Sequence, residues 1–218
     1  MKHRSLSLLA PLALVFAATA AAAEPAPFRI DRGHSLVGFN IRHFFSRVSG
    51  RFKEFNGTVV FDEKDLAASS VEVTIQTASI NTENERRDGD LRGANFFLAD
   101  SFPTITFKST KVVPGADKSF LIYGDLNMRG VTRPVTLEAT LLGMGQVGMA
   151  GRPPRTIAGF EAKGSIDRKD YGIVWNQVLD QGGTMLGDDV ALTLTVEASK
   201  FDPNAMPPGP PPAMPEKK

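Results

Sequence analysis

Apolar and polar residues alternate with a period of two through most of the chain between Phe28 and Lys200, the signature of β-strands buried on one face only. Eight runs carry it. The first sets Ser35, Val37, Phe39, Ile41 and His43 on one face and His34, Leu36, Gly38, Asn40 and Arg42 on the other. Phe55, Gly57, Val59 and Phe61 follow, then Val71, Val73 and Ile75, then Ile105 and Phe107. After these come Phe120, Ile122, Gly124, Leu126 and Met128, and Val135, Leu137, Ala139 and Leu141. The last two are Ala158, Phe160, Ala162, Gly164 and Ile166, and Val190, Leu192, Leu194 and Val196. Lys108, Glu138, Lys163 and Glu197 fall on the opposite faces.

One wet face per strand suits an antiparallel sheet, because parallel strands, covered on both sides, are apolar throughout. A single helix is expected near Thr82–Phe97, where Thr82 and Glu85 have capping-box spacing and Leu91, Ala94 and Phe97 form a weak stripe. Eight strands and one short helical segment predict a mainly β protein closed into an antiparallel barrel, since closure removes exposed edges. Gly57, Gly124 and Gly164 lie on inward faces beside Phe, where they either leave gaps in the interior or ease bending of the sheet.

The two ends differ from this middle. Lys2, His3 and Arg4 precede an apolar stretch and Ala21-Ala22-Ala23, so residues 1–23 read as a cleaved signal peptide and the mature protein as periplasmic. Losing Lys2 and Arg4 with the leader leaves 23 basic against 24 acidic residues, a balance that argues against nucleic acid as a partner. Residues 24–200 form the expected domain. Residues 201–218 form the expected disordered tail, with seven of the 17 residues from Asp202 onward being Pro.

Candidate chemistry is sparse. With no Cys there is no disulfide scaffold, thiolate metal site or thiol nucleophile. Gly143–Gly148 matches GxGxxG, yet Pro153 and Pro154 end any helix that would receive a pyrophosphate, so it reads as a loop between strands. His34 and His43, nine apart on a regular strand, point to opposite faces and cannot share a metal. Asp31 is placed to link to His34 at a strand start, and no serine has a base and acid arranged for nucleophilic attack. No catalytic residue, metal or cofactor is expected. The 15 Phe against two Tyr and one Trp point instead to apolar contact.

Several fragments, in order, then resemble one family. They are Asp31, His34-Ser35, Val37, Phe39 and His43; Val48, Gly50, Phe52 and Phe55; Ser79-Ile80 and Thr82; Arg87-Asp88, Leu91 and Phe96-Phe97; and Phe102–Ser109. Gly124, Leu126, Arg129–Thr132 and Pro134 follow, then Gly159-Phe160, Arg168, Asp170-Tyr171-Gly172 and Gly187-Asp188. Together they are similar to the YceI-like family of exported, polyisoprenoid-binding barrels, over essentially all of Phe28–Lys200. The resemblance implies a lipocalin-like barrel with an elongated tunnel for a polyisoprenoid or similar long-chain lipid, such as an isoprenoid quinone. It also implies transient contact with a membrane surface and leaves room for a homodimer. Where the family commonly has a His two residues after Arg87-Asp88, this chain has Asp90.

On this reading Phe39, Ile41, Phe61, Ile75, Phe107, Met128 and Phe160 line the tunnel, His43 meets a headgroup near its mouth, and Phe96-Phe97 gate it. Arg86, Arg87 and Arg92 face headgroups or water, with Arg87-Asp88 a candidate ion pair. Two alternatives stay open: an enzyme acting on a lipophilic substrate at the mouth, and a filled barrel serving as a stress-response adaptor.

Overall fold

The computed structural model describes residues 25–148, 153–180 and 182–204. The expected signal peptide and most of the expected tail lie outside these. The chain forms β1 (Ala26–Ile30), β2 (Leu36–His43), β3 (Ser46–Phe52), β4 (Phe55–Phe61), β5 (Ser70–Gln76) and β6 (Ile80–Asn81). Helix α1 (Glu85–Arg92) follows, then β7 (Thr104–Pro114), β8 (Ser119–Met128), β9 (Val131–Val147), β10 (Arg155–Asp167) and β11 (Leu186–Lys200). All pairings are antiparallel.

The eleven segments make an eight-stranded barrel because the first three barrel strands are each broken midway. β1 and β2 are one strand interrupted at Asp31–Ser35, β3 and β4 one interrupted at Lys53-Glu54, and β5 and β6 one interrupted at Thr77–Ser79. Below the breaks β1 pairs with both β4 and β11 and closes the ring. Above them the ladder runs β6–β3–β2–β11, and no pairing joins β6 to β7 among the described residues. Helix α1 and the connection after it occupy that opening. Arg92 donates to the carbonyls of Ala78 (2.8 Å) and Ile80 (3.2 Å), and Thr77 N–H donates to Pro103 O (2.9 Å).

Three sequence expectations change. The eight runs match eight barrel strands, but β1, β3 and β6 complete them without clear alternation of their own. The helix begins at Glu85, capped by Asn84, whose side chain accepts from Arg87 N–H at 3.0 Å; Thr82 is instead buried, with its hydroxyl 2.5 Å from Asp88 Oδ1. The GxGxxG stretch is strand rather than loop, since β9 runs to Val147 and pairs Gly143 with Gly159. Just past β11, Phe201 donates N–H to Pro27 O (3.0 Å) and lies under the Arg29 guanidinium at 4.6 Å.

Inward faces alternate as the strand period requires, most clearly in β9, where Val135, Leu137, Ala139 and Leu141 are buried and the residues between them exposed. The inward glycines are not simple gaps. A Cβ on Gly124 would collide with the Phe107 ring and one on Gly50 with the Phe39 ring, so each glycine seats a phenylalanine. Gly57 and Gly164 let the carbonyls of Glu72 and Thr136 on neighbouring strands come close.

Candidate functional site

Two spaces lie along the barrel axis. The inner one, of about 200 Å³, is walled almost wholly by apolar side chains, with Phe61, Phe120 and Phe160 towards the end closed by β1. Higher up, Ile75, Phe107, Met128, Leu137, Leu192 and Leu194 line it. The outer one is an open cleft of about 680 Å³ at the α1 end, lined by Ile41, His43, Val48, Leu91, Phe96, Phe97 and Trp175, with Arg87, Asp90 and Asn95 supplying polar groups. Phe39 and Val190 line both and stand at the junction.

All ten residues singled out from the sequence border these spaces. Phe39, Phe61, Ile75, Phe107, Met128 and Phe160 face the inner one, and Ile41, His43, Phe96 and Phe97 the outer, with Phe39 common to the two. Phe61 and Phe160 also belong to the packed foot of the barrel, with ring centroids 5.2 Å apart. Phe97 meets Phe52 edge-on at 5.7 Å, which anchors the segment after α1 while leaving Phe97 on the cleft wall. His43 packs edge-on to Phe44 at 4.6 Å.

Trp175 was invisible to periodicity because it sits in the irregular connection between β10 and β11. It packs against Phe96 at 5.4 Å, so two connections distant in sequence meet over the mouth. The only forewarning was the Arg168–Gly172 fragment just before it. That fragment builds the rim. Arg168, 3% exposed, donates to the carbonyls of Gly187 (2.9 Å), Ile173 (2.7 Å) and Trp175 (2.8 Å) and to Asp188 (3.1 Å). Arg129 bridges Gly172 O and Ala94 O, tying the β10–β11 connection to the one after α1.

The other arginines are structural too. Arg87 does not pair with Asp88; both grip Thr82, Arg87 through its hydroxyl (2.7 Å) and carbonyl (2.8 Å), Asp88 through its N–H (2.8 Å) and hydroxyl. Arg92 is spent on the β6 side, and Arg86 is exposed. Asp90, at the position where a His was expected from the resemblance, is exposed on the cleft wall.

Titrating groups are few. Tyr171 is buried with no partner for its hydroxyl among the described residues, and burial, helped by Asp170, pushes its phenol up to about 12. The Lys169 ammonium, 2.7 Å away, holds Asp188 below its usual range. At the break between β1 and β2, His34 sits in a single turn of 3-10 helix, which removes it from strand alternation. Its Nδ1 lies 3.0 Å from Asp31 Oδ2 and 3.8 Å from Glu197 Oε1. These atoms are close enough together to hold a cation, yet all three side chains are substantially exposed and the imidazole already donates to Asp31. Ser35 Oγ accepts from Glu197 N–H (3.0 Å) and clasps the strand, and it lines neither space.

Comparison with known proteins follows the same outline. A family model described as YceI-like domain matches residues 28–198. Protein YceI of Shigella flexneri is 44% identical over 168 residues, 74% of this chain and 85% of that protein, and that of Salmonella arizonae is 44% identical over 158 residues, 71% and 80%. A Campylobacter jejuni YCEI crystal structure superposes with TM-score 0.62 at 30% identity, covering 72% of this chain and 88% of that one. A structure described as a polyisoprenoid binding domain from Saccharophagus degradans shares the fold, with TM-score 0.56 at 14% identity over 82% of this chain and all of that one. The solved structures share this fold, and the family model spans nearly the whole barrel beside relatives 44% identical over most of the chain: the chain belongs to the YceI-like family.

Proposed function

We propose that this protein binds a lipid with an isoprenoid or similar long apolar tail and carries it through the periplasm, without transforming it. The observation that carries this reading is the junction at Phe39 and Val190, which line both an almost wholly apolar shaft and a larger cleft that has polar groups on its wall. Family membership and the likeness to a polyisoprenoid-binding domain support it. The basic, apolar and small-residue order of residues 1–23 supports export.

Size sets how the cargo sits. An apolar cavity near 150 Å³ holds a benzene-sized molecule, so the shaft of about 200 Å³ takes only the end of a tail. The remaining length lies in the cleft, or enters as Phe39 turns from its seat on Gly50. Burial is worth about 0.8 kcal/mol per methylene. For about forty carbons that sum exceeds the roughly 18–21 kcal/mol at which real affinities saturate, so chain ordering and imperfect packing absorb the excess. A tail leaving a bilayer is already out of water. The protein therefore holds cargo firmly in solution and exchanges it readily at a membrane.

Organic extraction of the purified protein followed by mass spectrometry tests the reading, with a stoichiometric isoprenoid lipid expected. Phe39→Asp places a charge in the apolar junction and abolishes retention. Asn40→Asp, on the outer face beside Ser49 and Arg47, leaves it unchanged. Lipid-free protein that gains no thermal stability from isoprenoid quinones would overturn the proposal.

A further inference from the structure

The rim of the mouth carries apolar side chains that the barrel does not use. Phe45, at the tip of the β2–β3 hairpin, is 101% exposed, Val174 64% and Val178 75%. Single exposed apolar residues are ordinary on soluble proteins, but Phe45 and Val178 are brought together by backbone. Phe44 N–H donates to Met185 O (2.7 Å), Met185 N–H donates to Gln177 O (2.9 Å), and Val178 bridges to Thr184. The Phe45 tip therefore lies beside the strip holding Val178, and Val174 adjoins Trp175 on the cleft wall.

Immediately behind the tip the charge is basic, while the exposed Asp180 lies in the Val178–Thr184 turn and the exposed Asp90 on the cleft wall. Arg42 and Arg47 are direct cross-strand partners just behind Phe45, an arrangement that costs stability between like charges. Neither makes an ion pair among the described residues. Arg42 donates to the carbonyls of Phe44, Thr184 and Leu186, and Arg47 to Asn40 Oδ1. Apolar side chains projecting beside unpaired guanidinium groups match the interface of an anionic bilayer, where rings enter the acyl boundary and basic groups meet headgroups.

We propose that Phe45, Val174 and Val178, with the Arg42–Arg47 pair, seat this protein on an anionic lipid surface with its mouth towards the membrane. This rests on the carriage reading and names where exchange takes place. The exposed Leu142, Met144 and Val147 lie on the β9 overhang at the opposite end and serve as the control.

The test is sedimentation of the purified protein with vesicles of phosphatidylcholine and phosphatidylglycerol, against phosphatidylcholine alone. Trp175, the one tryptophan of the chain, reports depth through quenching by brominated acyl chains. Wild type binds the anionic vesicles with Trp175 quenched. Phe45→Ser lowers partitioning about tenfold or more, the worth of a buried Phe side chain. Arg47→Gln lowers it about fivefold, and Leu142→Ser changes nothing. The proposal is overturned if wild type ignores the vesicles, if Phe45→Ser binds them as well as wild type, or if Phe45→Ser only abolishes self-association. Loading of delipidated protein with an isoprenoid quinone is read separately, without vesicles, by thermal stability. Failed loading with vesicle binding intact overturns carriage and supports the docking surface.

Discussion

The two ends of the barrel are held by different forces. At the end closed by β1, Phe28, Phe61, Phe120 and Phe160 meet edge to face, with centroids 5.2–6.5 Å apart, over Ala158 and Ala198, which are wholly buried. Such packing is dense, apolar and cooperative, and it opens only with the fold. At the mouth the sheet is not continuous, and the cover is made of connections tethered by Arg92, Arg129 and Arg168 to backbone carbonyls. A cover hung on hydrogen bonds can open locally while the barrel persists. On the carriage reading, one end is a floor and the other a door.

The contrast can be broken at several points. Phe160→Ala removes the ring that links Phe61 and Phe120 and is expected to cost about 3–5 kcal/mol in urea unfolding, with native Trp175 emission unchanged. Movement of Trp175 in the folded variant would show that floor and door are not independent. Arg168→Met is expected to cost about 3 kcal/mol, because three carbonyls and Asp188 lose a buried cationic donor. Its amide exchange should quicken at Ile173 and Met185 and stay slow in β9. Equal loosening of β9 would erase the distinction.

The smallest effect concerns the join between the ends, where Asp31 and His34 clasp the break in the first strand. The hydrogen bond to Asp31, with the charges of Asp31 and Glu197, raises His34 above its ordinary 6.5. The same bond, with one from Gly33 N–H, holds Asp31 below its ordinary 3.8. The His34 contribution is complete below 6.5 and is lost as pH rises through the raised value; that of Asp31 is complete above 3.8 and is lost as pH falls through the lowered one. The clasp is strongest between 3.8 and 6.5. In melting curves against pH, His34→Ala should remove the alkaline decline, and an unchanged profile would show the clasp contributes nothing.

Legibility followed locality. In β8 and β9 a strand with one apolar and one polar face writes its own register, so Phe120–Met128 and Val135–Leu141 were readable residue by residue. β3, Ser46–Phe52, was not, because its inner face includes Gly50, whose meaning is the Phe39 ring of the next strand. β1 is five residues long and contains Pro27, and β6 is two, too short for any period. Of the seven residues expected to line the tunnel, six border the inner space and Ile41 the outer cleft, because facing inward is a local property of a strand while height along the barrel is not. Trp175 was missed because its place depends on which connections meet; the grip of Arg87 and Asp88 on Thr82 is local, and capping-box spacing pointed to Thr82 as a helix cap instead.

By itself the sequence determined a β-barrel, the inward faces of its strands and the aromatic character of its interior, since alternation and composition are properties of neighbours along the chain. Tertiary structure alone decided that three strands break, that the sheet parts at the mouth, and that arginines distant in sequence hang a cover there. Backbone carbonyls carry no side-chain signature, so a lid built on them becomes visible only once the chain is folded.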